Sequence, residues 1–169
     1  MMHSIRFISI VITLLLLCSC PPTPLYNHSL HGVNLTEGDI YFFANEEYEK
    51  YIKEYPKTSP QQFISLTGFA KACGGRQRIV AGELDSWKSI IKSDSLIVHI
   101  ISDSLIDRYG LDIVLRPQNT IMNAEYRIPL SYMDSLRKTI SFPPKEYMRE
   151  KVKMWPSYEE IIAKFSNSK

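Results

Sequence analysis

The chain has 169 residues, 44% of them hydrophobic, and its 20 Lys+Arg against 18 Asp+Glu give a formal charge of +2. That length and apolar content sustain one ordinary globular core rather than two. The near-balanced charge, with no basic block, gives no electrostatic footprint for nucleic acid, which would normally need a clustered positive face.

The opening MMHSIR is short and basic at Arg6, and Phe7 to Leu17 form the apolar run FISIVITLLLL. This is the layout of a secretory signal. As a helix the run rises about 16 Å, half of the roughly 30 Å hydrocarbon core, so it is too short to span a bilayer. Lipoprotein processing needs a small residue before a cysteine that is diacylated and becomes the new N-terminus. Cys18 is preceded by Leu15, Leu16 and Leu17, whereas Cys20 has Ser19 immediately before it and Leu17 three residues back, which resembles a bacterial lipobox. Cys20 is therefore the predicted lipidation site, and residues 1–19 the predicted signal peptide. The mature chain, Cys20 to Lys169, holds 150 residues and, without Arg6, a net charge of +1. Each buried methylene of the acyl chains contributes about 0.8 kcal/mol of membrane affinity. With Cys18 removed and Cys20 acylated, Cys73 has no intramolecular partner; with Cys18 acylated instead, Cys20 and Cys73 are both retained and able to bridge. In KACGGRQR, Arg76 and Arg78 would favour a Cys73 thiolate, but a small, partly buried residue before a Gly-Gly turn is the simpler account.

Residues 20–38 read as a lipidated N-terminus and flexible tether: Pro21 to Gly38 is rich in Pro, Asn, Ser and Gly, has no sustained period, and extends to roughly 60 Å. His28 and His31 have the spacing of a metal-binding pair, but no neighbouring motif completes four ligands, so neither metal nor cofactor is predicted. Residues 39–169 form the predicted globular domain. Its first strand is DIYFFAN, Asp39 to Asn45. Tyr48, Tyr51, Ile52 and Tyr55 then recur at helical spacing before Pro56. These tyrosines pack a helix onto the sheet in the simplest reading, while Tyr48, Tyr51 and Tyr55 are also the candidate binding surface, able to stack on sugar or a partner protein.

Phe63–Leu66 and Ile79–Ala81 suggest a loose hairpin around Gly74 and Gly75, which lacks the Lys-Ser or Lys-Thr and helix of a phosphate loop. Ser86–Ile91 predicts a short helical turn capped by Ser86. The pentapeptide SDSLI occurs at 93–97 and again at 102–106. The first copy runs into Val98, His99, Ile100 and Ile101 and predicts a central strand over Leu96–Ile101 with Leu96, Val98 and Ile100 buried. The second runs into DRYG and predicts a short helix with Ser104 and Asp107 as capping box and Gly110 as stop. His99 shares a strand face with Ile97 and Ile101, where a hydrogen-bonded or half-exposed structural histidine is the expectation. Further on, EYRIPL alternates as a strand with Tyr126, Ile128 and Leu130 on one face, and Ser131 with Asp134 reads as a second capping box. TISFPP reads as the last strand, and Ser157 with Glu160 as a third capping box before a terminal helix. Trp155 is expected to anchor the tail against the domain or, in the alternative, against a partner. No G-x-S-x-G, H-E-x-x-H or paired-cysteine motif occurs, and no catalytic residue is assigned.

The predicted fold class is α+β: a mostly antiparallel sheet, sandwich-like or open, with short connecting helices, because the turns are too short for most parallel crossovers.

The succession SDSLIVHIISDSLIDRYG, EYRIPLSYMDSLRKTISFPP and VKMWP, following a lipobox, resembles small uncharacterised lipoproteins of Bacteroides and related anaerobic bacteria. The resemblance covers roughly Asp39 to Tyr158 and lies in element order rather than in catalytic residues. It departs where members tend to carry a Trp before the last strand and this chain has Arg137 and Lys138. It implies a bacterial envelope setting and carries no activity. In such lipoproteins outward export goes with acidic residues soon after the acylated cysteine; here Pro21, Pro22, Thr23 and Pro24 stand in that place, which implies the periplasmic face of the outer membrane. Two function classes remain. One is a non-enzymatic, lipid-anchored domain held to the membrane by its acyl chains and binding an envelope protein or glycan. The alternative is an envelope enzyme or enzyme inhibitor whose site matches no motif.

Overall fold

The β-branched run SLIVHIIS forms a strand, Ser95–Ser102, in which Leu96, Val98 and Ile100 are at most 2% exposed. It is the fourth of seven strands in a computed structural model that describes residues 29–54, 57, 59–62, 68–80, 91, 93–116, 120–133, 136 and 139–166. In chain order these residues give β1 (Leu30–Asn34), β2 (Ile40–Ala44), α1 (Asn45–Glu54), β3 (Arg76–Val80), β4 (Ser95–Ser102), α2 (Asp103–Tyr109) and α3 (Leu111–Val114), followed by β5 (Ala124–Pro129), β6 (Thr139–Phe142), β7 (Lys153–Trp155) and α4 (Tyr158–Ser166).

The strands make two sheets, ordered β3-β1-β6 and β2-β4-β5-β7. The four-stranded sheet is antiparallel throughout, and in the three-stranded sheet β1 is antiparallel to β3 and parallel to β6. The fold is thus α+β, as the element order predicts, and sandwich-like. Phe42, Leu96, Val98, Ile100, Tyr126 and Ile128 of one sheet meet Leu30, Ile79, Ile140 and Phe142 of the other in the main core. Each such side chain contributes about 1.5–3 kcal/mol on burial. A second cluster covers the opposite face of the four-stranded sheet, where Tyr41, Phe43 and Ile101 pack with Val114 and Leu115 and with Leu105, Ile106 and Leu111 of α2 and α3.

Two polar links join the sheets. The Tyr126 hydroxyl, fully buried in β5, donates to the Ser141 carbonyl of β6 at 3.2 Å. The Gln77 carboxamide of β3 receives the Phe42 N–H at 2.9 Å and donates to the Phe42 carbonyl at 3.0 Å. Buried amides need such partners, since leaving one unmet costs about 1–3 kcal/mol.

Several sequence expectations are corrected. Leu30–Asn34, read as tether, is the middle strand of the three-stranded sheet. Gly32 makes this possible: any Cβ there would run into the Phe42 ring. Asn34 is fully buried and organises the loop after β1, its amide donating to Gly38 O (2.6 Å) and Ala70 O (2.9 Å) and its Oδ1 accepting from the Thr36 N–H (2.9 Å). Arg76–Val80 pairs with β1, a partner distant in the chain. Phe63–Leu66 lies outside the described residues, as does Ser86–Ile91 except for Ile91, which is buried. The second SDSLI is helical, but α2 begins at Asp103 with Ser102 at its cap, ahead of the Ser104 box, and no side chain caps it. After β5 the chain makes a 3-10 turn over Leu130–Tyr132, and Asp134 lies outside the described residues. β6 is not the last strand, because Lys153–Trp155 pairs with β5. Ser157 and Glu160 do form the expected capping box: the Ser157 N–H donates to Glu160 Oε2 at 2.8 Å, and the Glu160 N–H donates to Ser157 Oγ at 3.3 Å.

Candidate functional site

The register of the four-stranded sheet lines up one residue from each strand. Phe43 faces His99, His99 faces Glu125, and Glu125 faces Trp155. Directly facing residues on antiparallel strands share a face, so these four form a row on the side away from the main core. Ile97, Arg127 and Lys153 form the next row. The alternation in EYRIPL explains the placement: with Tyr126 and Ile128 turned into the core, Glu125 and Arg127 must turn out.

The row grades from dry to wet. His99 is 3% exposed, with its ring centroid 6.2 Å from that of Phe43. Its Nε2 lies 3.4 Å from Glu125 Oε2, and Glu125 Oε1 accepts from Arg127 Nε at 2.6 Å. Burial holds the His99 imidazole below its ordinary pKa; the Glu125 carboxylate pulls it upward, and the Arg127 guanidinium reinforces the lowering. At neutral pH the ring is therefore uncharged. At the far end Trp155 is 60% exposed, the most open of the large hydrophobic side chains described. The expectation that it packs the tail against the domain is thereby corrected: β7 is an edge strand among the described residues, and its face there is open.

At the other end of the sheet face, Glu46 stands where β2 passes into α1. Its carboxyl pKa is raised by burial, against which hydrogen bonds from its own N–H and that of Ile97 act. It thus supplies a partner to β4 just beyond the last residue of β2.

Beside β7 opens a cleft of about 680 Å3, lined in part by Tyr132, Arg149, Lys151, Lys153 and Tyr158. This size suits a small ligand or a short stretch of polymer. One wall is braced by Arg149, which lies 2.7 Å from Glu159 and stacks 5.5 Å from the centre of the Tyr158 ring, while the Tyr158 hydroxyl donates to Glu146 at 2.8 Å. Lys153 belongs both to this cleft and to the outward row beside Trp155.

Of the residues singled out in the sequence, Cys20 lies outside the described residues, as do His28 and Tyr55. Tyr48 and Tyr51 fall within α1, but their side chains are not among those described. His31 sits on β1. Cys73 is free and exposed rather than partly buried: it occupies the left-handed region at φ 58, ahead of Gly74 at φ 102, and the turn projects it outward. Among the described residues no three His, Cys, Asp or Glu side chains group to hold a metal ion, and no helix is long and apolar enough to cross a membrane. Glu125, Arg127 and the exposure of Trp155 were not singled out from the sequence; the alternation of EYRIPL was the available signal for the first two. Compared with known protein families, curated proteins and solved structures, the chain matches none.

Proposed function

We propose that the chain is a lipid-anchored protein of the bacterial envelope, acylated at Cys20, whose domain is a non-enzymatic binding module working through the open part of the four-stranded sheet around Trp155. The observation that carries this reading is an indole 60% exposed on a paired strand, with Glu125, Arg127 and Lys153 beside it. An aromatic platform rimmed by a carboxylate and two cations suits an envelope glycan or a protein partner, since the ring stacks and the rim hydrogen-bonds. Tyr48, Tyr51 and Tyr55 belong to the same proposal as a second aromatic contact region. The domain stands on the periplasmic side of the outer membrane.

The enzyme reading is weaker. His99 has a carboxylate beside it, as a general base would, but at 3% exposure its ring is closed to a substrate. A group that transfers protons must reach the reacting atom.

Two measurements test the proposal. Mass spectrometry of the mature N-terminus is expected to find a diacylated Cys20; an unlipidated end, or one at Cys18, overturns the anchor. Co-sedimentation of the protein with isolated envelope glycan and with detergent-extracted envelope proteins is expected to weaken at least about tenfold on Trp155→Ala, the scale of one lost aromatic hot spot. Unchanged binding of both overturns the assigned surface.

A further inference from the structure

The outer face of the three-stranded sheet differs in chemistry from the Trp155 face. In β3, Gln77 and Ile79 are buried, so Arg76 and Arg78 turn outward and are exposed. In β1, Leu30 and Gly32 face the core, which turns His31 and Val33 outward. The register sets His31 opposite Arg78 and Val33 opposite Arg76. Among the described residues neither arginine takes part in an ion pair. His31 is held below its ordinary pKa by burial and then by Arg76 and Arg78, with no carboxylate acting against them. On the β3 side of this face Arg76 and Arg78 are therefore exposed cations that the described part of the domain leaves without counter-charge.

The position of this surface in the chain says what neutralises it. β1 is the first strand among the described residues, and only eight residues separate Cys20 from Ser29. Fully extended they reach about 30 Å. A domain held that close to a bilayer meets its surface repeatedly at high effective concentration. Attraction between basic side chains and anionic lipid acts within a Debye length, about 8–10 Å.

We propose that the outer face of the three-stranded sheet, through Arg76 and Arg78, docks on the anionic phosphate headgroups of the leaflet that holds the acyl chains. The inference rests on acylation at Cys20. The acyl chains supply retention and the basic face supplies orientation, the two-signal arrangement of peripheral anchoring. Because the two outer faces lie on opposite sides of the main core, docking turns Trp155 away from the bilayer.

The test uses the mature chain from residue 20 carrying Cys20→Ser, which contains every described element, and vesicles of phosphatidylcholine alone or mixed with phosphatidylglycerol. The protein is expected to sediment with the mixed vesicles only and to be released by high salt. Arg76→Gln with Arg78→Gln is expected to weaken this partitioning about 30-fold, the effect of two basic residues at an anionic surface. Arg76→Lys with Arg78→Lys is expected to retain it. Equal sedimentation with both vesicle types overturns the proposal, as does unchanged binding in the Gln pair or a loss in the Lys pair as large as in the Gln pair. Failure of acylation is read separately, from the mass of the native N-terminus, on which the vesicle assay does not depend.

Discussion

Gln77 is bonded to Phe42 as if its side chain were a strand: one carboxamide meets both the N–H and the C=O of Phe42 at 2.9 and 3.0 Å. β2 is an edge of its sheet, and an open edge invites pairing with another chain. Beside this contact, Ile40 is bridged by Ala70, so β2 is closed at two successive outward positions. Gln77→Ala leaves both Phe42 groups buried and unmet. The expected cost is about 2–4 kcal/mol by chemical denaturation, with concentration-dependent association as the second readout. A loss under about 0.5 kcal/mol would show that water or another group replaces the carboxamide.

Acid should weaken the fold through His99. Its pKa is lowered in the folded state from the ordinary 6.5, so the unfolded chain takes up the proton first. The contribution is fully present above pH 6.5 and is lost as the pH falls from there toward the folded value, at up to about 1.4 kcal/mol per pH unit for one proton. Thermal melts between pH 7.5 and 5 are expected to show a smaller decline for His99→Gln than for the parent. His31 acts in the same direction, so a residual slope is expected in that variant. Parallel curves for the two proteins would remove His99 as a source.

Gly32→Ala is expected to destabilise by about 1–3 kcal/mol, the ordinary cost of overpacking, because the new methyl would meet the Phe42 ring. A second-site Phe42→Leu should recover part of that loss if the ring is the obstacle. No recovery would place the strain elsewhere.

The helix α4 depends on its first turn. Ser157→Ala removes the cap from the Glu160 N–H and is expected to cost about 1 kcal/mol, while Ser157→Asp, another good cap, should cost little. Equal losses in the two variants would show that the hydroxyl matters for something other than capping.

The elements legible in the chain and those hidden in it divide along physical lines. β4 and β5 were legible because their apolar residues alternate or run continuously with β-branched side chains, a pattern that local sterics and burial both favour. The two SDSLI copies, identical in sequence and different in structure, were separable only by the residues directly after each: VHII continues a strand, and DRYG closes a helix. β1 was not legible. Its Gly32 and Asn34 look like loop residues, and each is there for a partner far away, Gly32 for Phe42 and Asn34 for Ala70. β7 was missed for a related reason, since three residues before a proline carry no period and become a strand only by pairing with β5. An indole next to a proline suits an anchor against the domain or a partner equally well; edge-strand register, which the local sequence does not encode, leaves Trp155 open. Of the candidate surface, the alternation that exposes Glu125 and Arg127 was present in EYRIPL, but their alignment with His99 and Trp155 required the sheet.

Cys73 offers a direct check on the fate of the cysteines. Exposed at its turn, it is expected to react fully with a thiol reagent in the folded mature protein. Non-reducing peptide mapping is expected to find it free or joined to another molecule. An intramolecular bridge to Cys20 would show that acylation occurs at Cys18.

The position of β1 has a mechanical consequence. It lies between β3 and β6, and the chain enters it directly at Ser29. The hydrogen bonds to both neighbours lie across the strand axis, so a pull directed along that axis loads them together in shear. At the other terminus the force reaches α4 first and then β7, a three-residue strand paired with β5 alone. The described strand nearest Cys20 in the chain is thus held on both sides, while the one nearest the tail is held on one.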